Sequence, residues 1–305
     1  MGKVKREMEE KTIIYKNGIS IDFKYLLDPI VADLISFVSH AHIDHAPYLV
    51  VKKPYATKET IDLISLRNKD FIGNEVKLNK KYNIDNISFE FFDANHILGS
   101  AMIYLELDGL SILYTGDFRV NKFDKDVDIL ITESTFGSKE FIFPDREQEI
   151  ERFIKFVREK TEILGKRVEI GAYPLGKAQE IIKILNDFDI IPSATKTIER
   201  FNEIYRKHGI KLKTSKNSNV LIRSMHDVIN SPLEGYYHAV CTGWALTQNF
   251  GKNIEGFVIS DHLDFKGLME FVEYVNPKKV YTIHGFSEIF ANELRKKGFN
   301  AISLI

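Results

Sequence analysis

Cysteine is almost absent: the chain of 305 residues has one, Cys241. A lone thiol excludes an internal disulfide and suits a reducing cytoplasm, where the protein is expected to reside. Long apolar runs are missing too. No stretch approaches the roughly 18 residues that a membrane span needs, so no membrane partner is expected. Residues 1–11 are charged throughout, which is unlike a signal peptide or an anchor. Nor does either charge dominate. With 42 Lys and Arg against 43 Asp and Glu, the net charge of −1 speaks against general coating of nucleic acid, and polyanion binding must be local. Tandem repeats and low-complexity tracts are absent. What is present is ordinary for a soluble globular protein: 44% apolar and 28% charged residues, with length for one large α/β domain carrying an insertion or for two modest domains.

The first third reads as short strands and turns. Stretches 12–15 and 19–23 flank Asn17-Gly18, a hairpin signal, and 34–39 is an apolar run ending at a histidine cluster. Helical spacing covers 57–66. Strands are predicted at 88–93, 101–107 and 110–115, with Asp108-Gly109 turning the last two, and at 129–133. Near residue 144 the texture changes. Pro144-Asp145 introduces an amphipathic helix with Ile150, Phe153, Ile154 and Val157 on one face. A strand at 167–172, a loop at Pro174 and Gly176 and a helix over 178–185 suggest a small parallel α/β unit. Strands at 239–242, 256–260 and 280–284 follow, with a helix at 266–274. The expected organisation is a first domain of 1–145, an insert of 146–252, and a return to the first domain over 253–305.

The strongest chemical signal is Ser39-His40-Ala41-His42-Ile43-Asp44-His45, three imidazoles and a carboxylate within six residues after a buried strand. Extended backbone projects His40 and His42 to one side, and a following turn presents Asp44 and His45 nearby. Neutral imidazoles and carboxylates suit zinc and similar divalent ions, and four such groups exceed the needs of one catalytic ion, which implies two. Further on, His96 follows a strand beside a glycine turn. Tyr114-Thr115-Gly116-Asp117-Phe118 ends another strand with an aspartate placed to bridge two cations.

In that order these motifs resemble the metallo-β-lactamase superfamily. Thr132-Glu133-Ser134-Thr135-Phe136-Gly137, the later Ser260-Asp261-His262-Leu263-Asp264-Phe265 and Ile283-His284-Gly285 resemble the motifs of its β-CASP nucleases. The stretch from Ala172 to Glu180 is similar to the start of that group's inserted cap. The combination is most like the short DNA-ligase-associated exonuclease-type proteins, and more distantly like mRNA 3′-end-processing nucleases, ribonuclease J and crosslink-repair nucleases. The resemblance implies an αββα sandwich with a small α/β cap. It implies a first metal on His40, His42 and His96, a second on Asp44, His45 and His284, and Asp117 bridging both. Asp44, Glu133 and His262 are the implied catalytic groups, Glu133 orienting His262 for proton donation to the leaving oxygen. Asp264 reads equally as a support of the metal site or as a helix N-cap. Two divalent ions are implied, zinc foremost with manganese or iron as alternatives. The implied partners are a DNA or RNA substrate, a DNA ligase or other processing factor, and a second copy of the chain.

Substrate contacts are sought in the insert. Between Ser193 and Arg223 stand Lys196, Arg200, Arg206, Lys207, Lys211, Lys213, Lys216 and Arg223, against only Glu199 and Glu203. Such a run tracks a phosphate backbone, or is simply a solvated surface. Lys177, after Gly176 at a helix start, is placed to meet a phosphate. Trp244 offers a stacking ring, against the alternative of core packing. His208, His226 and His238 lack motif context, and Cys241 reads as an inert buried residue. Two other functions compete. A hydrolase of thioesters, lactones or other small esters would need the metal ligands without Glu133, His262 and the cap; a silent scaffold would have lost the ligands.

Overall fold

The computed structural model of the chain describes residues 12–15 and 18–304, which form two compact units. The first unit comprises the described residues up to Ala94, then Gly99–Thr135 and those from Met269 onward; the second comprises Asn95–Leu98 and Phe136–Leu268.

The first unit is built on two sheets. One runs, in spatial order, Ile13–Tyr15, Ile19–Ile21, Tyr25–Leu27, Ile35–Phe37, Tyr55–Thr57 and Asn74–Val76, antiparallel at its start and parallel from Tyr25 onward. The other runs Ala301–Ser303, Lys279–Ile283, Ile129–Glu133, Leu110–Tyr114, Ala101–Leu107, Ile87–Asp93 and Tyr82–Ile84. Alternation along the strands explains why they face each other. Ile21, Leu27 and Phe37 of one sheet share a core with Phe91, Ile103, Leu105, Ile112, Ile131 and Ile283 of the other. Burying a side chain of this size contributes about 1.5–3 kcal/mol. In Lys279–Ile283 the neighbours Val280 and Thr282 are buried as well, on the opposite face, where helix Ser287–Lys296 lies and Ser287 O accepts from Thr282 Oγ1. Helix Lys58–Ser65 packs on Tyr55–Thr57 and Asn74–Val76 of the first sheet, capped by the Thr57 side chain. The unit is an αββα sandwich, as the motifs imply.

Turn chemistry fixes the registers. Asp108 and Gly109 both take positive φ, 52° and 81°, and Leu107 pairs with Leu110 across them. The first hairpin pairs Tyr15 with Ile19; of its expected turn Asn17-Gly18, Asn17 lies outside the described residues.

The second unit is a parallel five-stranded sheet in the order Ser193–Ala194, Val220–Ser224, Arg167–Ala172, Tyr236–Cys241 and Ile254–Phe257. Its central strand reads as a continuous buried run from Val168 to Ala172, as a strand covered on both faces must. Helix Arg146–Arg158 starts where Pro144-Asp145 announces it, Asp145 accepting from the Gln148 N–H at 3.0 Å. The stretch 146–252 expected as the insert falls within this unit.

Candidate metal centre

Strand ends bring the histidine cluster of the first unit together. After Ile35–Phe37 the chain is pinned by Ala101 N–H donating to Ser39 O at 2.8 Å. Gly116 lets the end of the neighbouring strand come close: with φ of +54°, any Cβ there would stand 2.7 Å from Ser39 Cβ. His40, His45 and Asp117 are consequently buried. His40 Nε2 lies 3.0 Å from His42 Nδ1 and 3.6 Å from Asp117 Oδ2. His45 Nε2 lies 3.5 Å from Asp117 Oδ1 and 3.9 Å from Asp44 Oδ2. Each oxygen of Asp117 thus faces a different imidazole. The His284 ring, on a residue held at φ 57°, sits 5.0 Å from that of His45. Glu133 is fully buried in the same unit, accepting from Phe118 N–H at 2.9 Å and from the Thr135 hydroxyl.

The hub of this arrangement is a residue that no motif advertises. Asp28, at φ 45°, accepts from Ser39 N–H at 2.6 Å, from Tyr114 OH at 2.7 Å and from His45 Nδ1 at 2.8 Å. Ser39 Oγ in turn contacts His40 Nδ1 at 2.9 Å. The Nδ1 atoms of His40 and His45 are therefore occupied, leaving Nε2 of each toward Asp117, which is how a metal-binding imidazole is oriented. Burial alone lowers the pKa of His45, but the carboxylates of Asp117, Asp28 and Asp44 outweigh it and carry the value up to about 10. His284 is pushed down, first by burial and then by the charge of His45. Tyr114 stays a donor, its pKa raised by burial and the Asp28 carboxylate. Buried carboxylates that pull this hard on a proton lack positive charge, and the donors around them are those that divalent ions take. Ligand atoms of Asp28, His40 and His45 lie within 4.8 Å of one another. The residues fit a metal.

His96 and His262, the other expected histidines, belong to the second unit. Their rings are 4.7 Å apart, and His96 Nδ1 is 3.1 Å from the Asp261 carbonyl oxygen. His262 N–H donates to Ser260 Oγ at 3.0 Å and its ring stands 5.9 Å from Phe136. Asp264 resolves into a cap: Oδ1 accepts from Gly267 N–H at 2.7 Å, at the head of helix Phe265–Val275, and Oδ2 from Phe143 N–H at 2.9 Å.

Comparison with known proteins agrees with the motif order. No family profile matches the chain. It is 29% identical over 292 residues to a probable DNA ligase of Opitutus terrae, covering 87% of this chain and 28% of that protein. It is 35% identical over 221 residues to an RNase J-like protein of Methanocaldococcus jannaschii, covering 62% and 52%. It is 24% identical over 293 residues to the DNA cross-link repair protein SNM1 of Arabidopsis thaliana, covering 80% and 59%. The chain is thus similar to nucleases of the β-CASP group of the metallo-β-lactamase superfamily, the group that its motif order resembles. It spans between 28% and 59% of these curated relatives' own lengths. Among solved structures, a protein of unknown function from Enterococcus faecalis matches in fold with a TM-score of 0.59 at 17% identity, over 84% of this chain and 76% of that one.

The substrate contacts expected from the sequence fare unequally. Lys177 is buried, its Nζ 2.6 Å from Glu180 Oε2 and 3.2 Å from Asp261 Oδ1. Glu180 also takes Arg146 at 2.5 Å. As placed, Lys177 ties the helix start to the residue before His262 and is not open to a phosphate, because two carboxylates already hold its ammonium inside. Trp244 lies among Phe136 and Phe141, with ring centroids 4.9 and 5.3 Å away. Lys196, Arg200, Lys207, Lys211, Lys213 and Lys216 are exposed. Arg206 and Arg223 are turned to internal work, pairing with Glu199 at 3.1 Å and with the buried Glu169 at 2.5 Å. Cys241 is buried, which raises its thiol pKa.

Proposed function

We propose that the chain is a metal-dependent phosphodiesterase that cleaves DNA or RNA strands in nucleic-acid processing or repair. The observation that carries this reading is the Asp117 carboxylate, buried with one oxygen toward His40 and the other toward His45. The relatives' names add the substrate class. In this reading His40, His42 and His96 would hold one divalent ion and Asp44, His45 and His284 a second, with Asp117 shared; zinc is the ion the imidazole-rich set favours. Such a pair, when bound, lowers the pKa of water towards about 7 and offsets phosphate charge.

The chain's own residues do the rest. Asp28 and Ser39 hold Nδ1 of His45 and of His40, so that Nε2 of each is already oriented to take a metal. Glu133, anchored by Phe118 N–H and Thr135, orients His262, and His262 gives its proton to the leaving oxygen, a step worth about 10²–10⁴ in rate. Residues 146–252 act as the cap inserted into a core made of 1–145 and 253–305, and the exposed Lys196, Arg200, Lys211 and Lys213 follow the phosphates. The proposed place of work is the cytoplasm, whose reducing conditions suit a single cysteine. A DNA ligase is the proposed processing partner and a homodimer the proposed assembly.

End-labelled single- and double-stranded DNA and RNA, offered with several divalent ions and beside a generic thioester, test the reading. Strand scission that stops with chelator is expected, with the thioester spared. Asp117→Asn should lose metal, whereas His262→Ala should keep metal and lose about 10²–10⁴ in turnover. Thioester cleavage without scission, or equal metal loss in both variants, overturns it.

A further inference from the structure

The first unit carries a surface feature that the metal centre does not use. Within the motif itself Ile43 is 79% exposed, and three residues beyond His45 comes Tyr48 at 88%, then Leu49 at 53% and Val51 at 66%. Ile30, 54% exposed, stands beside them, its carbonyl accepting from the Tyr48 N–H at 2.9 Å and the Leu49 N–H at 3.3 Å. Scattered apolar residues on a surface need no explanation, but four on one short ribbon, Ile30, Tyr48, Leu49 and Val51, do. The ribbon is not loose. Strands Val31–Ala32 and Leu49–Val50 pair in parallel, and Ala32 O accepts from Val51 and Lys52 N–H at 2.9 and 2.8 Å. The backbone is thus built to hold these side chains outward.

Charge and position say what they meet. Lys52 and Lys53 follow directly and are exposed; Asp33 and the ligand Asp44 are the exposed acids of the same stretch. A protein–protein interface tends to exclude lysine from its apolar centre, whereas a surface for unpaired nucleic acid combines a ring for bases with ammonium groups for phosphates. Three residues of chain put the Tyr48 Cα within roughly 11 Å of that of His45, so whatever rests on the ring is close to the metal ligands. We infer that Tyr48 with its apolar ribbon is a stacking platform for an unpaired base next to the scissile phosphate, which makes single strands or frayed ends the preferred substrate. The inference rests on the phosphodiesterase reading and narrows its substrate class.

Fluorescence anisotropy with a cleavage-resistant phosphorothioate strand, measured on the metal-loaded protein, tests the platform separately from catalysis. Tyr48→Ala should weaken single-strand binding about 10- to 100-fold, and Tyr48→Phe should restore most of it, since the ring and not the hydroxyl does the stacking. A blunt duplex of the same sequence should bind alike to all three forms, and metal content should not change. Single-strand affinity of Tyr48→Ala equal to that of the unsubstituted protein overturns the platform. So does a change of oligomeric state with strand affinity intact, which would make the ribbon a protein interface. Scission of labelled strands by the unsubstituted protein is scored apart: its absence counts against the phosphodiesterase reading, while the binding comparison still decides the platform.

Discussion

Asp28 and His45 show how far a single side chain is defined by residues remote in sequence. The aspartate reaches Ser39 and His45 from 11 and 17 positions away and Tyr114 from 86. The histidine cluster was legible because His40, His42, Asp44 and His45 crowd one short segment, and chemistry can be read from crowding. Asp28 was not, because one acid in an apolar stretch gains its meaning only when folding brings three donors to it. Its electrostatic effect makes a prediction for the metal-free protein. The folded pKa of His45 is raised from 6.5 to about 10, so the native state binds the proton more tightly than the unfolded chain. That contribution is fully present below about pH 6.5 and is lost as pH rises through about 10. Urea midpoints of chelated protein should therefore fall between those limits, and Asp28→Asn should flatten the fall. A midpoint that rises over the same interval contradicts the proposed charge balance at His45.

At the level of elements, the long strands and their tight turn were readable from alternation and from Asp108-Gly109, while short pieces were not. Tyr25–Leu27, Tyr55–Thr57 and Asn74–Val76 are three residues each, too few for alternation to register, and sheet pairing defines them. Helix Lys196–Lys207 was hidden for another reason. Its buried stripe of Ile198, Phe201, Asn202 and Tyr205 keeps helical spacing, but the surrounding cations drew attention to charge instead of period. Where strands end, glycine decides whether a ligand is delivered. Gly285 has φ +51° and a Cβ there would meet Thr135 Cα at 2.4 Å and Ser134 O at 2.6 Å, both rigid backbone. Gly109 has φ +81° with nothing within 4 Å. Gly109→Ala should cost only the left-handed conformation, about 1–2 kcal/mol. Gly285→Ala should cost more than that and also loosen metal binding, because the shift passes to the adjacent His284. Urea denaturation with metal analysis of both variants checks this, and equal losses with full metal in each would show that the close contact is relieved without moving His284.

For the whole molecule, a net charge of −1 leaves strand binding to where cations are concentrated. The run of cations between Ser193 and Arg223 lies in the second unit, but the sequence did not separate buried pairs from exposed charge, since pairing partners lie far along the chain. Arg223 reaches Glu169 across 54 positions, and Lys177 reaches Asp261. This separation predicts two kinds of variant. Arg223→Gln leaves the fully buried Glu169 with less compensation, so it should lower stability by a few kcal/mol, about 3–5 at most, and affect strand binding only through folding. Lys196→Gln with Lys211→Gln removes exposed charge and should leave the urea midpoint in place. For a single strand, log K falls with log salt by about 0.7 for each phosphate neutralised, so losing both cations should make the slope shallower by about 1.4 if each meets a phosphate. Titrations of a labelled strand between about 50 and 200 mM salt resolve such a change. An unchanged slope would mean that these cations only keep the surface solvated and that the phosphates run elsewhere on the protein.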